Sequence, residues 1–167
     1  MGLKIHIGCG SDIKDGYVNI DEFNPDADVQ KPIQKLDYPE NSVERIEGYM
    51  VLEHLTPFDA KAFIKKAHKM LEPGGTLILE VPDLEKVCRL ILAFRDDGEY
   101  LNTGAFGVRG FFGEPTDHMT KGDYHKWGYT PGTLGQLLQE AGFSRWRVSD
   151  GVSHLYPLRD MRVEAVK

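Results

Sequence analysis

The sequence predicts a single α/β domain of 167 residues, built on one doubly wound, mostly parallel sheet with a reversed last strand. Three observations predict it. Strand-like and helix-like segments alternate along the chain, a pattern that belongs to a parallel sheet with helices on its faces. A short apolar strand, Lys4 to Ile7, runs directly into Gly8-Cys9-Gly10 and then into a second short strand ending in Asp21. The last two strand-like segments, Trp146 to Ser149 and Met161 to Val166, are joined only by Gly151 to Pro157. A parallel pair needs a longer crossover, so these two are expected to form an antiparallel hairpin at one end of the sheet.

Only Ser11 to Gly16 lies between the glycine turn and the second strand, whereas a crossover helix with its loops needs roughly a dozen residues or more. The first helix is therefore reduced to a turn or two, or absent. Asn24-Pro25 turns the chain, and Ala27 to Gln30 reads as a short third strand closed by Pro32. Ser42 to Tyr49 is the fourth strand, with Val43 and Ile46 as apolar anchors among the charges of Glu44, Arg45 and Glu47. Thr56-Pro57 starts a helix: a capping hydroxyl, proline at the first helical position and Asp59 in the first turn all favour it. Ala62, Phe63, Ala67, Met70 and Leu71 keep roughly helical spacing until Glu72-Pro73-Gly74-Gly75 ends the run. Thr76 to Val81 is then a buried strand, and Pro82-Asp83 turns into a helix from about Leu84 to Arg95. Thr130-Pro131 repeats the cap-plus-proline start for a helix carrying Leu134, Leu137, Leu138 and Ala141, closed by Gly142.

Glycines after a first strand let backbone amides approach a ligand, because glycine turns tightly and adds no side chain. Asp21, at the end of the next strand, offers a carboxylate at the height of a ribose. By themselves these features also fit a plain tight turn. A dinucleotide fingerprint would add a third glycine opening a full helix and a ribose acid about 20 residues on. Asp12 stands where that glycine would fall, and Asp21 comes too early. Without a helix N-terminus the turn suits a ligand that carries no phosphate.

Composition narrows the partners. The formal net charge of −6 gives no basic footprint for a nucleic-acid backbone. No apolar stretch is long enough to cross a bilayer, and no secretory-signal pattern opens the sequence, so a cytoplasmic location is expected. Cys9 and Cys88 read as free thiols of a reducing compartment.

IHIGCGSD, NID, YMVLEHL and MLEPGGTLILEVPD, in this order and spacing, resemble the class I S-adenosylmethionine-dependent methyltransferases, and most of all the small type-11-like proteins whose glycine turn runs almost directly into strand two. The likeness covers about Lys4 to Asp83 and is weaker beyond. It implies a Rossmann-like sheet and S-adenosylmethionine as cofactor, with S-adenosylhomocysteine as product. It also implies the methionine part against Gly8, Cys9 and Gly10, the ribose hydroxyls on Asp21, and the adenine between Phe23, Ile33 and Met50. Relatives often carry an acid for the adenine amino group after strand three; here Pro32 stands there, and backbone groups of Ile33 or Gln34 are expected to substitute. Asp21 is expected to hold the ligand rather than the fold.

The N-terminal helices that cover the substrate in many relatives have no counterpart here. The candidate lid is residues 97–129, a long loop-like stretch with seven glycines and seven aromatics but no clear period. Long loops are usually functional or disordered, and such aromatic density argues against disorder. A homo-oligomer contact or packing over the sheet is the alternative. His118 and His125 within it, with Asp83 after the fifth strand, are the candidate catalytic bases, and Asp83 is equally suited to cap the following helix. A structural role is expected for His54. Two histidines with Asp117 and Asp123 lack the spacing of a known metal site, so no metal is expected. The function read from the sequence is methyl transfer to a small-molecule acceptor, a sugar or metabolite, on oxygen or nitrogen. The alternative is a non-catalytic cofactor-binding subunit that needs a partner to complete its site.

Overall fold

Parallel pairing of the first strand with two neighbours sets the centre of the molecule. In the computed structural model, which describes residues 2–93, 103–113, 124–153 and 157–167 (backbone only for 103–107), β1 (Leu3–Ile7) lies between β2 (Val18–Asp21) and β4 (Val43–Tyr49). β3 (Val29–Gln30), β5 (Leu71–Pro82), β6 (Arg145–Asp150) and β7 (Asp160–Val166) complete a seven-stranded sheet of order β3-β2-β1-β4-β5-β7-β6. β7 runs antiparallel to both β5 and β6, so the reversed final strand read from the short link is present. The helices are α1 (Pro57–Met70), α2 (Leu84–Ala93), α3 (Thr103–Phe112) and α4 (Pro131–Ala141). No helix among the described residues is long and apolar enough to cross a membrane.

The two threonine-proline starts act as the sequence indicates. Thr56 Oγ1 accepts from the Asp59 amide at 3.2 Å. Thr130 and Thr133 exchange bonds, each hydroxyl accepting from the other's amide, at 3.2 and 2.9 Å. Gly142 closes α4 at a φ of 104°, a left-handed conformation that glycine adopts without a Cβ penalty. Removing the reciprocal cap with Thr130→Ala should cost about 1 kcal/mol. Calorimetry should then show a melting temperature lower by about 2–4 °C, and an unchanged one would mean that the cap contributes nothing.

Because side chains alternate across a strand, the register sorts them into two unlike faces. Ile5, Ile7, Ile20, Ile46, Leu77, Leu79, Val163 and Ala165 share one core with Phe63, Ile64 and Ala67 of α1 and with Leu134 and Leu138 of α4. The opposite face is polar. His6 is in register with Asn19 and Glu47, Tyr49 with Glu80, and Glu80 with Arg162. Glu47 accepts from Lys14 Nζ at 2.6 Å, Tyr49 Oη at 2.6 Å and Tyr17 Oη at 2.8 Å. Glu80 accepts from Arg162 at 2.8 Å and from the amides of Val152 and Ser153.

This polar face explains how β1 connects to β2 without a helix. Residues 8–17 form turns only. Asn19 Oδ1 accepts from the Lys14 amide, and Asn19 Nδ2 donates to the carbonyls of Lys14 and Tyr17. Together with the Glu47 bonds to Lys14 and Tyr17, these contacts fasten the connection to the sheet.

Two sequence expectations are corrected. Residues 97–129 are not structureless, since α3 lies within them and packs on α2. Gly110 shows why the glycines mislead: a Cβ there would lie 2.3 Å from Val87 Cγ2 of α2. Gly110 serves close helix contact rather than a loop. The Pro73-Gly74-Gly75 turn is likewise not a boundary before β5. Leu71 already pairs with Val43, and the turn is a register irregularity within the strand pair.

Candidate active site

The glycine turn sits at the carboxyl end of β1, the side on which open α/β sheets hold ligands. Gly8 and Gly10 have φ of 59° and 49°. A Cβ on Gly8 would come 2.5 Å from Val51 Cγ2, whereas a Cβ on Gly10 would meet nothing within 4 Å. The turn is thus packed from behind at Gly8 and open at Gly10. Cys9 faces inward, 4 % exposed, and its amide donates to the Ile20 carbonyl at 3.1 Å. Burial, reinforced by the Asp21 charge, pushes its thiol up to about 11, so the turn offers a backbone and not a nucleophile.

Asp21 binds the protein as well as facing that turn. Its Oδ2 accepts from the Gly10 amide at 2.9 Å, and its Oδ1 from the amides of Phe23 and Asn24 at 2.8 and 2.9 Å. Partial burial raises its pKa, but the three amides outweigh this and hold it below the ordinary carboxylate value. The expectation that Asp21 serves only a ligand is corrected, because the carboxylate also anchors the turn after β2. Of about four lone-pair directions on a carboxylate, three are engaged, which leaves room for one ribose hydroxyl.

The residues implied for the adenine have unlike environments. Phe23 is 58 % exposed, whereas Ile33 is part of the core. Met50, just past β4, has a φ of 51°. That conformation costs a side-chain-bearing residue about 1–2 kcal/mol, and such strain concentrates at ligand sites. The carbonyls of Ile33 and Gln34 accept from the Leu36 amide and Lys66 Nζ. A bond to an adenine amino group from either carbonyl would have to share it.

At the carboxyl ends of β4 and β5 a second group of polar side chains gathers. The single turn Leu52–His54 follows β4, and residues 124–129 run across it: the amides of Lys126 and Trp127 donate to the Glu53 carbonyl, and Tyr129 bridges to Asp83. Glu53 is 1 % exposed, and neither carboxyl oxygen has a hydrogen-bond partner among the described residues. Burial pushes its pKa up to about 8. His125 Nε2 lies 3.9 Å from Glu53 Oε1, while its Nδ1 is 3.0 Å from the Gly110 carbonyl. Burial is the largest influence on His125 and pulls its pKa down to about 4, so the ring is neutral near pH 7. His54 packs edge-on against it, with Nδ1 3.1 Å from the Tyr124 carbonyl. Asp83 does act as a cap, its Oδ1 accepting from the Glu85 amide at 2.9 Å. His118, Asp117 and Asp123 lie outside the described residues.

Residues 5–79 match the model of a family described as a methyltransferase domain. No curated protein matches the sequence. Among solved structures, a S-adenosylmethionine-dependent methyltransferase from Methanosarcina mazei superposes with a TM-score of 0.66 at 18 % identity, covering 99 % of this chain and 92 % of its own. One from Thermotoga maritima, described as a possible histamine N-methyltransferase, gives 0.63 at 15 % identity, covering 100 % and 83 %. The 1,6-didemethyltoxoflavin-N1-methyltransferase of Burkholderia thailandensis, solved with its substrate and S-adenosylhomocysteine bound, gives 0.63 at 15 % identity, covering 99 % and 70 %. At these identities the likeness is one of fold, and it bears out the class I S-adenosylmethionine-dependent methyltransferase architecture read from the sequence.

The sheet thus presents two groups at the carboxyl ends of its parallel strands: Gly8, Gly10 and Asp21 at β1 and β2, and Glu53, His54 and His125 at β4 and β5. The sequence reading found the first group. Of the second group, the sequence places Glu53 and His54 side by side in VLEHL and His125 far from them; the fold, not the spacing, brings the three together. The one available signal was an acid followed by a histidine shortly after β4, the central strand of the sheet.

Proposed function

We propose that this protein is an enzyme that transfers a methyl group from S-adenosylmethionine to a small-molecule acceptor, a sugar or other metabolite, on oxygen or nitrogen. The observation that carries the reading is the left-handed Gly8–Gly10 turn, open at Gly10, with the Asp21 carboxylate 2.9 Å from the Gly10 amide at the ligand-binding edge of a methyltransferase sheet. The residues fit the cofactor: the amides of the turn suit its methionine end, Asp21 one ribose hydroxyl, and Phe23, Met50 and the Ile33–Gln34 turn its base. When bound, S-adenosylmethionine supplies an electrophilic methyl. An acceptor lone pair forms the new bond to carbon, the electrons of the carbon–sulfur bond stay on sulfur as the thioether product, and the acceptor proton leaves to a base or to water.

Most of the rate in such an in-line displacement comes from holding the reactants in alignment, with a base required only if the acceptor keeps its proton. Residues 124–129, lying across the ends of β4 and β5, supply a wall for the acceptor. His125, neutral near pH 7, is the base candidate among the described residues, and Asp83 shapes the site through the start of α2. Calorimetry and thermal-shift series with S-adenosylmethionine, S-adenosylhomocysteine and NAD test the cofactor. Stabilisation by the first two and not by NAD is expected, and stabilisation by NAD alone overturns the proposal. Labelled methyl transfer by the isolated chain to a small molecule of a cell extract is the expected second result. Binding without any transfer would instead favour a subunit that needs a partner.

A further inference from the structure

We propose that Glu53, His54 and His125 form a site for one divalent cation of the zinc class. One potential ligand atom from each lies within 4.8 Å of the other two. A carbonyl oxygen only accepts, so the bonds of His125 Nδ1 to Gly110 and of His54 Nδ1 to Tyr124 place the ring proton on Nδ1 in both histidines. In that tautomer Nε2 is the lone-pair nitrogen of each ring. Metal-binding histidines are held in this way, the far nitrogen donating to a backbone carbonyl or carboxylate that fixes tautomer and ring orientation.

The Glu53 carboxyl gives the second, independent observation. It is 1 % exposed with both oxygens unpartnered among the described residues, and buried polar groups in folded proteins are otherwise satisfied. A cation gives the buried carboxylate a partner through one oxygen and supplies the attraction missing between Glu53 Oε1 and the His125 Nε2 lone pair, which stand 3.9 Å apart. Bonds of about 2.1 Å in a tetrahedral site put neighbouring ligand atoms roughly 3.4 Å from one another. That pair therefore closes by about half an ångström, a matter of small side-chain rotations. Two imidazoles and one carboxylate favour zinc, iron(II) or cobalt(II) over magnesium or calcium, which take oxygen ligands.

Three ligands come from the described residues, the number that catalytic rather than structural zinc sites take from the protein. The site lies at the edge where the acceptor is expected; a bound cation would engage the His125 Nε2 lone pair and so replace His125 as the base, binding an acceptor oxygen or nitrogen and favouring its deprotonation. This consequence rests on the methyl-transfer reading; the site itself does not.

The test uses the full chain stripped with a chelator, titrated with Zn²⁺ by calorimetry and with Co²⁺ by visible absorption. One ion per chain is expected, with the absorption of four- or five-coordinate cobalt. Glu53→Gln and His125→Gln should each weaken binding by about tenfold to a hundredfold or more, while His68→Gln, outside the cluster, should bind as the unaltered chain does. Absence of saturable binding by the unaltered chain overturns the site whether or not the variants fold, as does undiminished binding in both variants. S-adenosylhomocysteine affinity measured on the same samples separates the two proposals: a chain that binds the nucleoside but no metal defeats the metal site alone.

Discussion

Glu47→Gln should lower the stability of the protein by about 3 kcal/mol at neutral pH and the melting temperature by about 6–12 °C. Glu47 is 5 % exposed in the middle of the polar sheet face, and burial alone would raise its pKa. The bonds from Lys14, Tyr49 and Tyr17 outweigh that and bring it down to about 2, from an ordinary 4.5. A carboxylate with a depressed folded-state pKa adds stability that is fully present above its unfolded value and is lost as the pH falls through the folded one. The difference between parent and Glu47→Gln should therefore be constant above about pH 5, shrink through the window from 4.5 towards 2, and close below it. Taking the difference removes the contributions of other carboxylates, such as Glu80, whose pKa is also lowered. Denaturant unfolding of both chains at a series of pH values is the measurement. A gap that stays the same down to pH 2 would show that the amide replaces the carboxylate without loss. Affinity for S-adenosylhomocysteine should change less than stability, because Gly10 is tied to Asp21 and Cys9 to Ile20, independently of Glu47.

How much of this was legible in the sequence follows from where each signal is stored. Thr56-Pro57 and Thr130-Pro131 are local devices, complete within one helical turn, and both caps form as read. The glycine turn and Asp21 are close in sequence and stay close in the fold. Glu47 gave the opposite impression: with Glu44 and Arg45 it weakened the strand pattern. Its meaning depends on cross-strand register, since Lys14, Tyr17 and Tyr49 reach it only after β1, β2 and β4 align. The α3 helix was hidden because glycine is read as a breaker, while at Gly110 its lack of a side chain admits Val87 of the neighbouring helix. The role of Glu53 was hidden for a related reason. An acid after a strand is ordinarily solvated, and only the crossing of residues 124–129 over the Leu52–His54 turn buries it and brings His125 within 4 Å.

Asp21→Ala should weaken binding of S-adenosylhomocysteine by about tenfold to a hundredfold and also destabilise the free protein. The affinity loss follows from one charge-assisted hydrogen bond to a ribose hydroxyl, worth about 1.5–3 kcal/mol. The loss of stability follows from the amides of Gly10, Phe23 and Asn24, whose common acceptor disappears. Gly10 and Phe23 are solvent-exposed, so water takes up part of the loss. The net cost is therefore set at about 1–3 kcal/mol rather than the sum of three bonds, a fall in melting temperature of roughly 3–9 °C. Asp21→Asn separates the two roles. Its amide oxygen can keep accepting from Phe23 and Asn24, but its nitrogen then faces the Gly10 amide, donor against donor. The asparagine should recover part of the melting temperature while leaving affinity low, since the charge facing the ribose is gone. The depressed pKa of Asp21 adds a pH signature of the same sign as that of Glu47: stability present above the ordinary carboxylate value and lost as the pH falls through the folded one. Thermal melts with and without S-adenosylhomocysteine, together with titration calorimetry on the three chains, report both quantities. Unchanged affinity in Asp21→Ala would remove the ribose assignment and leave the carboxylate as a turn anchor. An unchanged melting temperature with lost affinity would remove the anchor and leave the ribose contact.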